Sequence, residues 1–306
     1  MAFSNPSSSL IEDLGAVFRP QRQWAQGRGL LLITAHFLSG VGAGAWAVAA
    51  VLGFQPGLFV GLVAVLLGGI AHLAFLGRPD RFYRIITRVQ SSWISRGLAG
   101  ISIFTVFAVL YLILISTSGR DGLWQQVTLY LSLLGAVWIA VYKGFVWASS
   151  RGIPFWNSAL LPAVFFIYAF RGGVATLFVS LFFASQSAGV ALPEVELIKL
   201  WLGVSSAALV LVYLLIMPST GIAAGRSVSE LVGGRLSLVF YIGAVFLGLV
   251  VPIGIGAFGY STNLSLPLLA IVGVSSLVGD FYTIFCIARA GIYRPLLLEF
   301  AGRPLT

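Results

Sequence analysis

Gly57-Leu-Phe-Val-Gly-Leu-Val-Ala-Val-Leu-Leu-Gly-Gly-Ile-Ala-His-Leu-Ala-Phe-Leu76 runs for twenty positions without a formally charged side chain. As a helix it is long enough to cross the hydrocarbon core of a bilayer, about 30 Å thick at 1.5 Å of rise per residue. Inside that core every backbone N–H and C=O needs a protein partner, so only helices and closed barrels span it. A barrel strand uses about 9–11 residues, and this run is twice that. Seven further runs share its character: Gly29–Leu52, Leu98–Ser116, Trp124–Trp147, Leu160–Ser185, Ile198–Met217, Leu236–Phe258 and Leu266–Ala288. The fold class is therefore an all-α integral membrane protein with eight transmembrane helices. A polar segment 1–28 precedes the transmembrane domain 29–288, and a tail 289–306 follows it.

Composition agrees. Of 306 residues, 59% are hydrophobic and 9% charged, whereas a soluble domain carries about 25% charge to cover its surface. The 36 glycines fall largely inside apolar runs and read as places of close helix approach. Gly40, Gly42 and Gly44 superficially match a nucleotide-binding glycine pattern. They follow no strand and lie in an apolar span, so they read as helix packing, with a faint counterpart in Gly254 and Gly256. The lone Cys286 excludes a disulfide framework or a cysteine-held cluster within the chain. Residues 1–28 contain no apolar stretch of the signal-peptide kind.

The net charge of +9 does not indicate nucleic acid, because of where the charges stand. Arg19, Arg22 and Arg28 precede the first span, and Arg78, Arg81, Arg84, Arg88 and Arg96 fill the second loop. Arg151, Arg226, Arg235, Arg289, Arg294 and Arg303 fall on the same side of the predicted topology. Arg120 and Lys199 are assigned to the opposite side, and Lys143, near the end of its span, reads as a side chain snorkelling to the headgroups. The positive-inside rule then puts both termini in the cytoplasm. A basic face also serves as a docking surface for an acidic partner.

Ionisable residues within spans are costly and carry the functional question. His36 and His72 lie on antiparallel helices at similar depth, roughly 6–11 Å below the basic face. Facing histidines of this kind ligate a b-type haem, hydrogen-bond a quinone and exchange protons with it, or simply bond neighbouring backbone. Asp280 and Arg171 read as a buried contact that is either a structural ion pair or part of a proton relay. Trp24, Trp93, Trp124, Trp147, Trp156 and Trp201 fall near span ends, as in an aromatic belt. Trp93 and Trp156 have a second reading, lining the way into a site for a ring-shaped ligand. No phosphate loop, nucleophile elbow or metal-spaced His/Cys/Glu set is present in the sequence.

His72-Leu-Ala-Phe-Leu-Gly-Arg-Pro-Asp-Arg-Phe82 and Ser91-Ser-Trp-Ile-Ser-Arg-Gly97 together resemble the membrane subunits of the NrfD and polysulfide reductase family, including the related dimethyl sulfoxide reductase anchors. Arg151-Gly-Ile-Pro-Phe-Trp-Asn-Ser158 with Leu161-Pro162, and the opening helix with Trp24 and Gly40–Gly44, extend the likeness over most of the sequence. The resemblance implies two four-helix bundles and a quinone-reactive subunit that carries no haem. It further implies a ferredoxin-like iron–sulfur partner that relays electrons to or from a molybdenum or tungsten pterin enzyme. The quinone pocket is then expected near the docking face, here the face of Arg78, Arg81, Arg84, Arg88 and Arg96. The dimethyl sulfoxide branch often has a histidine where Phe75 stands; His72 lies nearly one turn earlier. Arg171 is outside the family pattern, while Asp280 matches its acidic residue in type.

These readings converge on a quinone held by His36 or His72, with Trp93, Tyr130 and Tyr142 assisting, in a bacterial cytoplasmic membrane. The alternatives are a b-haem cytochrome using the same histidines and a secondary transporter built around Arg171 and Asp280.

Overall fold

The computed structural model describes residues 17–184, 192–259, 262 and 264–295. Residues 1–16 of the N-terminal segment, Ser185 at the predicted end of the fifth span, and Arg303 lie outside the described residues. Among the described residues there are eight helices long and apolar enough to cross a membrane. They are α1 (Gly29–Val51), α2 (Gln55–Phe75), α3 (Trp93–Ser118), α4 (Leu123–Ala148), α5 (Leu160–Ala184), α6 (Leu192–Ile216), α8 (Ser237–Gly259) and α9 (Leu266–Ala290). A shorter helix α7 (Ile222–Val232) lies between α6 and α8.

Two span starts lie well ahead of the sequence expectation. The third begins at Trp93, not Leu98, because Ser92 caps it by accepting from the Ser95 amide at 3.4 Å. A serine N-cap supplies an orphan amide with its acceptor, so Arg96 is drawn into the first turn. The sixth begins at Leu192, not Ile198, so Lys199 sits two turns inside the helix and not at its edge.

Helices α1 to α4 associate through the pairs α1–α2, α3–α4 and α1–α4, and α5, α6, α8 and α9 through α5–α9, α5–α6 and α8–α9. The two groups meet chiefly where α1 crosses α5. Glycines make that crossing possible: a Cβ on Gly44 would collide with the Ala169 carbonyl, and one on Gly173 with the Gly44 backbone. Between α1 and α2, a Cβ on Gly42 would stand 2.7 Å from the Gly61 carbonyl oxygen, and one on Gly68 2.8 Å from the Ser39 amide. In lipid the hydrophobic effect does not drive helix association, so such close packing must.

Nearly half of α8 is a π-helix, Phe240–Val250, which ends just before Pro252. Proline lacks an N–H, and its ring presses on the carbonyl four residues earlier; a widened turn relieves that clash.

One end of the bundle gathers the arginines. There the strands β1 (Arg19–Pro20) and β2 (Ile292–Tyr293) pair antiparallel, bringing the two ends of the described residues together. The 3-10 segment Pro79–Arg88 lies at the same end, with Arg78, Arg81, Arg84 and Arg88 exposed. Arg28 ties this end shut by donating to the Ala74 and Leu76 carbonyls at 2.8 and 3.0 Å. At the far end Arg120 donates to the Gly53 carbonyl at 3.1 Å.

Candidate functional site

Beneath the basic end, between α1, α2, α3 and α4, lies a cavity of about 350 Å³. Its walls are mostly aliphatic, and the ionisable groups in them are His36, His72 and Tyr142. Leu66, Ile70, Leu73 and Ile94 line it and are also exposed on the outer surface, so its mouth faces sideways between α2 and α3, where lipid would be. Phe82 and Ile85 of the 3-10 segment roof it.

The histidines meet because Gly68 lets α2 approach α1 closely. Their ring centroids are 5.2 Å apart and tilted by 58°. His72 Nδ1 lies 2.9 Å from the Gly68 carbonyl oxygen. A carbonyl only accepts, so Nδ1 carries the proton and Nε2 of the neutral ring is left as an acceptor. His36 is buried, packed against Trp147 at 5.8 Å and Phe165 at 6.4 Å, and its Nδ1 has no hydrogen-bond partner among the described residues. An unpaired buried polar atom costs about 1–3 kcal/mol, a cost a ligand or water can remove. Tyr142 enters the cavity wall because Gly97 of α3 has no side chain to obstruct its ring.

The structure does not bring all the predicted residues here. Tyr130 is 63% exposed on the outer face of α4, three turns from Tyr142, and so is no part of the cavity. Trp93 stands beside the cavity and not in its wall: it stacks on Phe145 at 4.5 Å and carries the Arg96 guanidinium over its ring at 4.5 Å. Arg96 also donates to the Val89 and Gln90 carbonyls at 3.0 and 2.7 Å, so it clamps the loop and does not stand free as a docking charge. Of the tryptophans, Trp124 is exposed at a span end, Trp201 is exposed but lies well inside α6, and Trp147 and Trp156 are buried core. Trp156 donates to the Ile287 carbonyl at 2.8 Å and so ties the loop before α5 to α9.

Lys143 overturns its reading most sharply. It does not snorkel: it is 1% exposed, and Nζ donates to the His36 carbonyl at 2.7 Å and to Ser39 Oγ at 3.3 Å. Gly40 makes the space, since a Cβ there would stand 2.6 Å from Nζ. Lys199 is buried too, and its Nζ donates to the Arg171 carbonyl at 2.8 Å. Arg171 and Asp280 form a fully buried ion pair, with Arg171 also donating to Ser206 Oγ at 3.0 Å and lying over the Tyr168 ring at 4.8 Å. The pairing of Arg171 with Asp280 is legible because a buried charge without a partner is costly. The inward turn of both lysines is not, because periodicity does not say which way a long side chain bends near a span end.

These features define a class: a polytopic helical membrane protein with a lipid-accessible, histidine-lined cavity and a charged interior behind it. The chain belongs to the polysulphide reductase, NrfD family, whose model matches residues 28–295. It is 32% identical over 122 residues to the membrane-family relative named as the C chain of the anaerobic dimethyl sulfoxide reductase of Haemophilus influenzae, a match that spans 38% of this protein and 42% of that one. It is 26% identical over 266 residues to protein NrfD of Escherichia coli, spanning 76% and 81%.

Proposed function

We propose that this protein is the quinone-reactive membrane subunit of a multi-subunit oxidoreductase. The observation that carries the reading is the pair of imidazoles in the wall of one cavity, with the His72 ring keeping a bare acceptor nitrogen. A quinone offers carbonyl oxygens, and its reduced form offers hydroxyls. His72 Nε2 accepts from such a hydroxyl, and Tyr142 or a protonated imidazole donates to a carbonyl. The aliphatic walls suit a ring system, and the sideways mouth lets a lipid-soluble molecule enter from the bilayer. The quinone supplies two-electron, two-proton chemistry; the protein binds it, orients it and manages its protons.

The site is shallow. His72 is three residues from the end of α2 and His36 seven from the start of α1, about 4.5 and 10 Å deep. Shallowness favours exchange of electrons with a partner docked on the basic end. Arg78, Arg81, Arg84 and Arg88, exposed on the 3-10 segment above the cavity, suit an acidic partner surface. That partner is a ferredoxin-like iron–sulfur subunit, relaying to a molybdenum or tungsten pterin subunit. One relative is by its name part of a dimethyl sulfoxide reductase, which fits such an assembly. The positive-inside rule places this end and both termini in the cytoplasm of a bacterial inner membrane.

The test is mild-detergent purification of the tagged protein, then assay of hydroquinone oxidation by the complex with ferricyanide. His36→Ala and His72→Ala should each lower turnover about 10- to 100-fold, the worth of one hydrogen bond to a charged or developing charge, while the subunits still co-purify. A protein that purifies alone, or variants with unchanged turnover, would contradict the proposal.

A further inference from the structure

Behind the histidines the polar groups continue across the bundle. Counting 1.5 Å per residue from the basic end, Lys143 is about 8 Å deep, Asp280 about 15 Å and Arg171 about 16 Å. Lys199 belongs to the other half of the membrane, about 10 Å from the far end at Leu192. The sequence of contacts is nearly unbroken. The His36 ring lies beside that of His72, and the His36 carbonyl accepts from Lys143. A void of about 10 Å³, lined by His36, Lys143, Tyr168 and Asp280, then separates the α1–α4 side from the ion pair. That is the size of one water. Two of its lining residues, His36 and Asp280, each keep a buried polar atom without a partner among the described residues, Nδ1 and Oδ2. From Asp280 the row passes through Arg171, whose carbonyl accepts from Lys199. One turn beyond Lys199 on α6 stands Glu196, in the wall of a cleft of about 260 Å³ at the far end that also holds Glu194.

Three cations and one carboxylate buried together are more than a structural ion pair requires. Lys143 and Lys199 have no carboxylate within ion-pairing distance among the described residues. Apolar side chains of similar volume would fill the same space without the desolvation cost. A row in which two imidazoles, two ammonium groups and a carboxylate can take and give a proton, ending in carboxylates at the far end, has a use that packing does not. We propose that protons exchanged with the quinone at His36 and His72 cross the bundle by Lys143, one bridging water, Asp280 and Lys199, and leave at Glu196 on the face opposite the arginines. Arg171 holds Asp280 in line. The inference rests on the quinone reading above. For each hydroquinone oxidised to quinone, two electrons pass to the iron–sulfur partner and two protons pass into this row; reduction of quinone runs the same balance backwards.

The experiment uses the intact complex in sealed vesicles with the pH dye pyranine inside. Duroquinol is the donor, and external ferricyanide, which does not cross lipid, reports only complexes whose partner faces outward. Each duroquinol oxidised reduces two ferricyanides and liberates two protons. The wild-type protein should acidify the lumen by two protons per duroquinol, and Lys199→Met should slow that acidification about 10²-fold, as loss of a positioned proton carrier does. Asp280→Asn should do the same. Protons appearing outside, with Lys199→Met unaffected, would overturn the route while leaving the quinone site standing. Absence of any duroquinol oxidation by the wild type would overturn the quinone reading first, and the route with it. The wild-type measurement alone decides the side of release, so the test does not depend on a variant that folds.

Discussion

His72 is the residue whose chemistry is most tightly determined. Its bond to the Gly68 carbonyl four residues back fixes the protonated nitrogen, and the remaining nitrogen then acts as a base toward the cavity. A side chain that retains an acceptor at that reach keeps part of the function: His72→Gln should retain more hydroquinone turnover than His72→Ala, measured on the purified complex. Arg171 and Asp280 pose a different question at the same scale. Removing one member of a buried pair leaves an uncompensated charge, at a cost of about 3–5 kcal/mol. Arg171→Met should therefore lower the thermal midpoint sharply, and Arg171→Met with Asp280→Leu should recover most of the loss. If the double variant is as unstable as the single, the pair is not the source of the penalty. The sequence marks these charges as exceptional in an apolar span; it does not show that Lys143 and Lys199 join them. A lysine four residues from a span end is compatible with bending either way, and Gly40, opposite Lys143, is what decides it.

Among the elements, the α1–α5 crossing has the least slack. Gly44 and Gly173 each lack the Cβ that would strike the other helix's backbone, so Gly44→Val should abolish recovery of monodisperse protein in detergent. Gly254, in α8, has nothing within 4 Å of where a Cβ would stand, and Gly254→Ala should leave recovery unchanged. The spans themselves are legible as apolar runs, because hydropathy over about 20 residues is a strong signal. Their starts are less so. Ser92 is a capping residue only once α3 is known to begin there, and Leu192-Pro-Glu-Val-Glu196 reads as a loop until exposed Glu194 and half-buried Glu196 are seen at the far end. The π-helical stretch of α8 has one visible sign, Pro252, which marks a disturbance without naming its form.

Across the whole molecule, an even number of spans puts both ends of the described residues at the basic end, where β1 and β2 pair. With the buried Cys286 replaced by alanine, a cysteine at Tyr83 and one at Ser118 should react with an impermeant thiol reagent from opposite sides of sealed inner-membrane vesicles. The same side for both would contradict the eight-span arrangement. The likeness to the family extends over nearly the full length of the sequence, and the motif from His72 to Gly97 maps onto the end of α2, the 3-10 roof and the start of α3, which are three walls of one cavity. The motif is legible in the sequence. That it encloses a cavity together with His36 and Tyr142, and leaves Tyr130 outside, depends on helix rotation, which near-uniform hydrophobicity hides.

The central claim is that a quinone occupies the cavity of His36 and His72, and photolabelling tests it most directly. An azido-quinone irradiated with the intact complex should label peptides from Gly69–Leu76 of α2 and Ile94–Ile101 of α3, and excess duroquinol should suppress that labelling. Suppressible label on α6 or α8 instead, with none around His72, would contradict the account.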